Sequence, residues 1–196
     1  MIKKPIILIG AGGHAESCID LINEQKEFKL KEIIGTKKEL NKMLLNEFKV
    51  KFDDRNLRIL SKKYKYALIG IGQIHSNKIR KQIFAKLKSL KFILPTVCSK
   101  HSIISKYCSI GEGTIVMHGA IISANVKIGK NCIINSNALI EHGCLIEDNV
   151  HIATSATINS GVTIGQNSFV GSGTVIRQSV KVKKNSFIKM HSTIKR

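Results

Sequence analysis

From Ile104 onward an aliphatic residue falls at every sixth position: Ile104, Ile110, Val116, Ile122, and so on without a break to Val182, Ile188 and Ile194. Four residues after each stands a mostly small side chain, among them Cys108, Ala120, Cys132, Ala138, Cys144, Ala156 and Ser168. A period of six matches neither the 3.6-residue turn of an α-helix nor the simple alternation of a strand. It suits a coil of short strands in which one bulky side chain per flat face points inward, while the small position lets the chain turn a corner. Cys108, Cys132 and Cys144 then serve as compact packing groups rather than nucleophiles. No insertion breaks the period, so no long loop is expected to leave this half.

The first half follows another rule. Residues 5 to 9, Pro-Ile-Ile-Leu-Ile, read as a buried parallel strand, followed by Gly10-Ala11-Gly12-Gly13-His14-Ala15 and a helical pattern from Glu16 to Lys26. Glycine at 10 and 12 permits a tight turn and close backbone approach to a ligand. Ala15 lets the helix pack on the strand, and the helix N-terminus favours a phosphate. Further strands are predicted over 30–34, 66–71 and 92–94, with a helix over about 77–90 and a link over 95–101. A dinucleotide site would place an acidic residue after the second strand to hold a ribose, but Thr36, Lys37 and Lys38 stand there, which disfavours NAD. The predicted architecture is an α/β, Rossmann-like domain over residues 1–95, followed by an all-β, six-residue-repeat domain over 96–196.

Composition narrows the class of function. A hydrophobic content of 43% over 196 residues can supply a real core. The formal charge of +19 favours acidic partners such as nucleotides or CoA phosphates, and the first 95 residues, with 21 basic and 9 acidic side chains, carry most of it. Nucleic acid fits poorly, because aromatics are 5% with no Trp and lysine outnumbers arginine 27 to 5. Five cysteines without a CxxC argue against a disulfide framework or structural zinc and for a reduced compartment. The apolar run ending at Gly10 is too short for a signal-peptide core or a membrane span, so the protein is expected to be soluble and cytoplasmic, without membrane insertion. His118 and His142 are 24 residues apart, one coil and a third, which puts them on different faces and leaves no metal site expected.

The repeat resembles the hexapeptide-repeat acyltransferases, whose fold is a left-handed parallel β-helix with three faces and eighteen residues per coil, and which usually form trimers with active sites between subunits. The two halves in this order resemble the family that includes UDP-N-acetylbacillosamine (UDP-4-amino-sugar) N-acetyltransferases and sialic acid O-acetyltransferases. The residues that carry the likeness are the glycine-histidine turn and the stretch from Asn135 to Glu141-His142. The resemblance implies that Gly12, Gly13 and His14 lie on the nucleotide and its phosphates. Gly72, Thr36 and Lys37 would approach the same ligand, and Asn135 the substrate. It makes His142 the general base, with Glu141 beside it. A near-neutral pKa lets histidine take a proton from an attacking amine or hydroxyl. It assigns His151, Ser160 and Gly161 to the acetyl-CoA side, Ser160 one coil above His142 with a backbone N–H towards the thioester oxygen; an ordinary solvent-facing position is the other reading of Ser160.

The implied activity is acetyl-CoA-dependent N-acetylation of a nucleotide-linked amino sugar, a UDP-4-amino-4,6-dideoxy sugar of bacterial glycan biosynthesis, by a metal-free homotrimer. Sugar O-acetylation of the sialic acid type is the alternative. Three departures stand out. Gly143 follows the histidine where relatives commonly carry an acid, so Glu141, a water or a neighbouring subunit would have to orient the ring. Lys37 and Lys38 replace acidic residues after the second strand. The chain ends Met190-His191-Ser192-Thr193-Ile194-Lys195-Arg196, without the Gly-x-Pro-Ala of many relatives.

Overall fold

The computed structural model describes residues 2–195. Its contacts divide the chain into two units: residues 1–72 with 78–95, and residues 73–77 with 96–196. Met1 and Arg196, the last residue of the C-terminal stretch noted above, lie outside the described residues.

The first unit is built around β1 (Lys4–Ile9), whose run Ile6 to Ile9 is buried on both faces. Such a continuous apolar run is the signature of a central parallel strand. β2 (Phe28–Gly35) pairs parallel on one side of it, and β5 (Tyr66–Ile69) pairs parallel on the other. β3 (Met43–Leu44) and β4 (Phe48–Asp53) extend the sheet beyond β2 to give the order β3-β4-β2-β1-β5, with β3 antiparallel. Three helices complete the unit, α1 (Gly13–Glu24), α2 (Leu57–Lys63) and α3 (Lys78–Ser89). α1 buries Ala15, Cys18, Ile19 and Ile22 at helical spacing, with Leu21 buried beside them.

Some sequence expectations shift. The strand expected over 66–71 stops at Ile69, and the one expected over 92–94 reduces to a single bridge between Tyr66 and Ile93. β3, β4 and α2 were not anticipated.

The second unit is the left-handed parallel β-helix. Seventeen two-residue strands, from Val97–Cys98 to Thr193–Ile194, stack on three faces at a register of eighteen residues, so that Ile122 pairs with Ile140 and Ile140 with Ile158. The first face runs through Ile115–Val116, Ile133–Ile134, His151–Ile152, Phe169–Val170 and Phe187–Ile188. The second runs through Ile121–Ile122, Leu139–Ile140, Thr157–Ile158 and Val175–Ile176, and the third through Lys127–Ile128, Leu145–Ile146 and Thr163–Ile164. The six-residue aliphatics and the small residues four places later form one continuous buried column. Residues 95–101, expected as a link, instead contain the first strand: Cys98 occupies an inward position one hexad before Ile104, where a thiol stands in for the usual aliphatic. Burial pushes the Cys98 thiol up to about 11 and, in the first unit, that of Cys18 to about 12; it raises Cys108 and Cys144 as well, consistent with packing roles.

The corners obey a rule of their own. Every sixth residue from Gly113 to His191 has a positive φ, between 54° and 71°. The corner demands a left-handed backbone, which glycine adopts freely and asparagine more readily than other residues. Gly, Asn, Ser and a single His fill these places. At the corner between the third and first faces, four of them form a ladder: Asn131 donates to Asn149 at 2.9 Å, Asn149 to Asn167 at 3.3 Å and Asn167 to Asn185 at 3.0 Å. Residues 73–77, which the sequence reading leaves in the first domain, are fastened along that corner. Gln73 donates to the Asn149 carbonyl at 2.7 Å and Asn77 to that of Asn167 at 3.1 Å.

Candidate active site

In the first unit the functional cleft follows from topology. The chain leaves β1 for β2 on one side and later returns to β5 on the other, and such a switch point opens a crevice at the carboxyl ends of the strands. Gly10 and Gly70 close its floor. Gly10 has a φ of 123°, and a Cβ there would lie 2.9 Å from the Gly70 carbonyl carbon, so no side chain fits. A Cβ on Gly70 would lie 3.1 Å from the Cα of Ala15, the close helix–strand approach expected of that alanine.

Above this floor lies a cavity of about 520 Å³ whose lining includes Gly12, Gly13, His14, Thr36 and Gly72. Five of the expected substrate residues therefore converge. Lys37 is not among the lining residues. It lies near Asp53, whose carboxyl is held below its usual range chiefly by hydrogen bonds from Arg55, with the Lys37 charge adding a smaller effect. Sequence reasoning missed two acids that do line the cavity, Glu39 and Asp54. Glu39 reaches it through a capping box: its Oε2 accepts the Thr36 N–H and the Thr36 hydroxyl, both at 2.8 Å. The Thr-x-x-Glu spacing was the available signal. A carboxylate thus stands near the end of β2 after all, four residues beyond the strand.

In the second unit the expected base sits on an exposed corner between the second and third faces. Ile140 anchors the strand inward, and the chain turns at Gly143 with a φ of 71°. His142 Nε2 lies 3.0 Å from the Ser160 hydroxyl, one coil above. The backbone locks the pair, since Gly161 N–H donates to the His142 carbonyl at 3.0 Å and Glu141 N–H to that of Ile158 at 2.9 Å. That bond commits the Gly161 N–H to the coil. The ring partner left open by Gly143 is thus Ser160, through its side chain.

The remaining expected residues lie apart from this corner within the unit. Asn135 is at the opposite edge of the second face, where its Oδ1 accepts the Ser136 N–H at 2.9 Å. His151 is buried on the first face with Nδ1 2.5 Å from the Gln73 carbonyl. A carbonyl only accepts, so Nδ1 carries the proton. Its ring meets Phe169 edge-on, Phe169 stacks on Phe187, and Phe187 stacks on His75. His118 sits at the corner between the first and second faces with Nδ1 2.9 Å from the Ser99 hydroxyl, away from His142. Among the described residues no three His, Cys, Asp or Glu side chains converge in a way that could hold a metal ion.

The two units correspond to two known families. The family described as the PglD N-terminal domain matches residues 5–87, and the bacterial transferase hexapeptide family matches 107–142, 125–160 and 143–178. No curated protein matches by sequence. Among solved structures, the acetyltransferase domain of PglB from Neisseria gonorrhoeae in complex with acetyl coenzyme A is 26% identical. It aligns over 98% of this chain and 93% of its own with a TM-score of 0.85. A mutant of perosamine N-acetyltransferase from Caulobacter crescentus, in complex with CoA and GDP-perosamine, shares the fold at a TM-score of 0.90 and 23% identity, over 98% of this chain and 89% of that one. WeeI from Acinetobacter baumannii aligns at 0.74 and 22% identity, covering 97% and 96%. The β-helix is thus similar to the bacterial transferase hexapeptide family over its matched coils. The PglD-type domain over 5–87 and the transferase hexapeptide repeats over 107–178, in this order, support a sugar acetyltransferase.

Proposed function

We propose that this enzyme transfers the acetyl group of acetyl-CoA to the amino group of a nucleotide-linked amino sugar, a UDP-4-amino-4,6-dideoxy sugar of bacterial glycan assembly, in the cytoplasm. The observation that carries the reading is the His142–Ser160 pair on an open corner of the hexapeptide helix, in a chain that also holds a 520 Å³ cavity at its glycine turn. Likeness to an acetyltransferase domain crystallised with acetyl coenzyme A supports the donor, and likeness to an enzyme crystallised with GDP-perosamine supports a nucleotide-sugar acceptor. The nucleotide occupies the cavity, its phosphates over Gly12, Gly13 and His14, with Gly72 and Thr36 beside it.

The amine attacks the thioester carbonyl. A C–N bond forms as the C–S bond breaks, and His142 takes the proton the nitrogen loses, then returns one to the departing CoA sulfur. The products are an amide and free CoA, and no covalent enzyme intermediate is required. Ser160 holds the ring, while Glu141 adds a carboxylate next to it in the chain. The resemblance would add Asn135 on the substrate side and His151 and Gly161 on the donor side, although His151 is buried against Gln73 and the Gly161 N–H is bonded within the coil.

A homotrimer suits this arrangement. The second face carries outward aliphatics, Ile103 67% and Ile121 38% exposed with Leu139 after them and, beyond Thr157, Val175 42% exposed. Solvated aliphatics in a row are a surface awaiting a partner. Asn135 lies at one edge of that face and His142 at the other, so three-fold packing along it would bring the Asn135 edge of one subunit to the His142 edge of the next. Among the described residues no helix is long and apolar enough to cross a membrane.

Incubation with acetyl-CoA and a panel of UDP-, dTDP- and GDP-linked 4-amino sugars tests the proposal. The expected product is an amide that survives mild base; an ester, which base cleaves, would shift the acceptor to a hydroxyl.

A further inference from the structure

The turn that follows β2 places a lysine that neither the motif nor the charge pattern singled out. Thr36 and Glu39 close the turn through their paired 2.8 Å bonds, and Lys42 N–H donates to the Glu39 carbonyl at 3.0 Å. Two further backbone bonds fasten it to β4, Asn41 N–H to the Val50 carbonyl and Val50 N–H to the Lys42 carbonyl, both 2.9 Å. Gly35 is part of the fit: a Cβ there would sit 3.0 Å from both Glu39 Cβ and Val50 Cγ1. The backbone of Lys42 is therefore held from two sides, although its side chain is exposed.

From that mount the side chain reaches the glycine turn, and Nζ lies 2.6 Å from the Ala11 carbonyl. Ala11 is itself buried and lines the 520 Å³ cavity. An ammonium has three donors and this carbonyl takes one, which leaves two N–H groups beside a residue of the cavity lining. The charge balance there calls for a cation. The acidic groups on the lining are Glu39 and Asp54, and both oppose a phosphate. None of Lys37, Lys38 and Lys42 lines the cavity itself, but Lys42 is hydrogen-bonded to a residue that does, Ala11.

We propose that Lys42 is the cation that receives the diphosphate of the nucleotide-linked substrate, presented over the glycine turn by the Thr36–Glu39 cap. This rests on the reading of the cavity as the nucleotide subsite. Lysine acts here as a point charge on a flexible stem, so it favours the diphosphate over the nucleoside without choosing the base.

Titration calorimetry on the full chain separates the two ideas. UDP, GDP and dTDP are each measured beside uridine, guanosine and thymidine, on the wild type and on Lys42→Met, Lys42→Arg and Lys38→Met. The expected result is a loss of about 10- to 100-fold in diphosphate affinity for Lys42→Met with nucleoside binding unchanged, near-complete retention in Lys42→Arg, and no effect of Lys38→Met. Undiminished diphosphate binding in Lys42→Met overturns the assignment, as does an equal loss for nucleoside and diphosphate, which marks a structural role. If the wild type binds none of the three diphosphates, the nucleotide reading of the cavity fails instead.

Discussion

Gly143 fills the place where an acidic neighbour for His142 was sought, and its φ of 71° gives it a backbone duty that other corners assign to asparagine. A Cβ there would meet nothing within 4 Å, so the glycine is chosen for its dihedral and not for space. The ring is held from the coil above, by the Ser160 hydroxyl at 3.0 Å from Nε2. A serine fixes orientation without lending a full charge. On the proposed mechanism, Ser160→Ala is expected to lower kcat about tenfold and leave the KM for acetyl-CoA within about twofold, as measured by steady-state kinetics, because it frees the ring without touching the donor. An equal fall in donor affinity would place Ser160 in the CoA site instead. The sequence placed the histidine and the serine one coil apart correctly, but it tied Ser160 to catalysis through a backbone N–H. The side chain was hidden from that reading because register fixes which residues are neighbours, not which of their atoms meet.

At the scale of the element, the hexad was legible because one demand recurs from Ile104 to Ile194: an aliphatic must fill the interior at each face. The corner demand is as regular, yet it was harder to read. Glycine, asparagine, serine and histidine all satisfy it, so the positive-φ column has no single chemical label in the sequence. The same holds for Val97–Cys98, which joined the helix with a cysteine in an aliphatic place. β3 and β4 escaped for a different reason. They lie at the edge of the sheet, where exposed lysines alternate with apolar residues and the strand signal is diluted. The asparagine ladder offers a sharp test. Asn149→Gly removes two ladder bonds and is expected to cost about 1–2 kcal/mol. Asn149→Ala also forces a side chain to a φ of 57° and is expected to cost about 1–2 kcal/mol more, which urea denaturation of the pair would resolve. If both variants cost the same, the corner tolerates any residue and the dihedral argument fails.

Across the whole molecule, the chain passes three times between its two units, after residues 72, 77 and 95; the segment 73–77 leaves β5 just after Gly72, lies against the asparagine corner of the β-helix and returns to α3. No periodicity marks it, because its role depends on two amides and a histidine meeting a particular corner. Assembly is tested on the second face. On the proposed trimer, Ile121→Lys puts a charge among the exposed aliphatics of that face and is expected to give a smaller species than the wild type in light scattering, with loss of acetyl transfer; a variant that assembles as the wild type does would overturn this interface. The most direct test of the central claim is the rate of CoA thiol release with acetyl-CoA and the best amino-sugar nucleotide, compared between the wild type and His142→Asn. The account predicts that the variant stays folded and binds both substrates while kcat falls about 10²- to 10⁴-fold; a variant that turns over at the wild-type rate would contradict it.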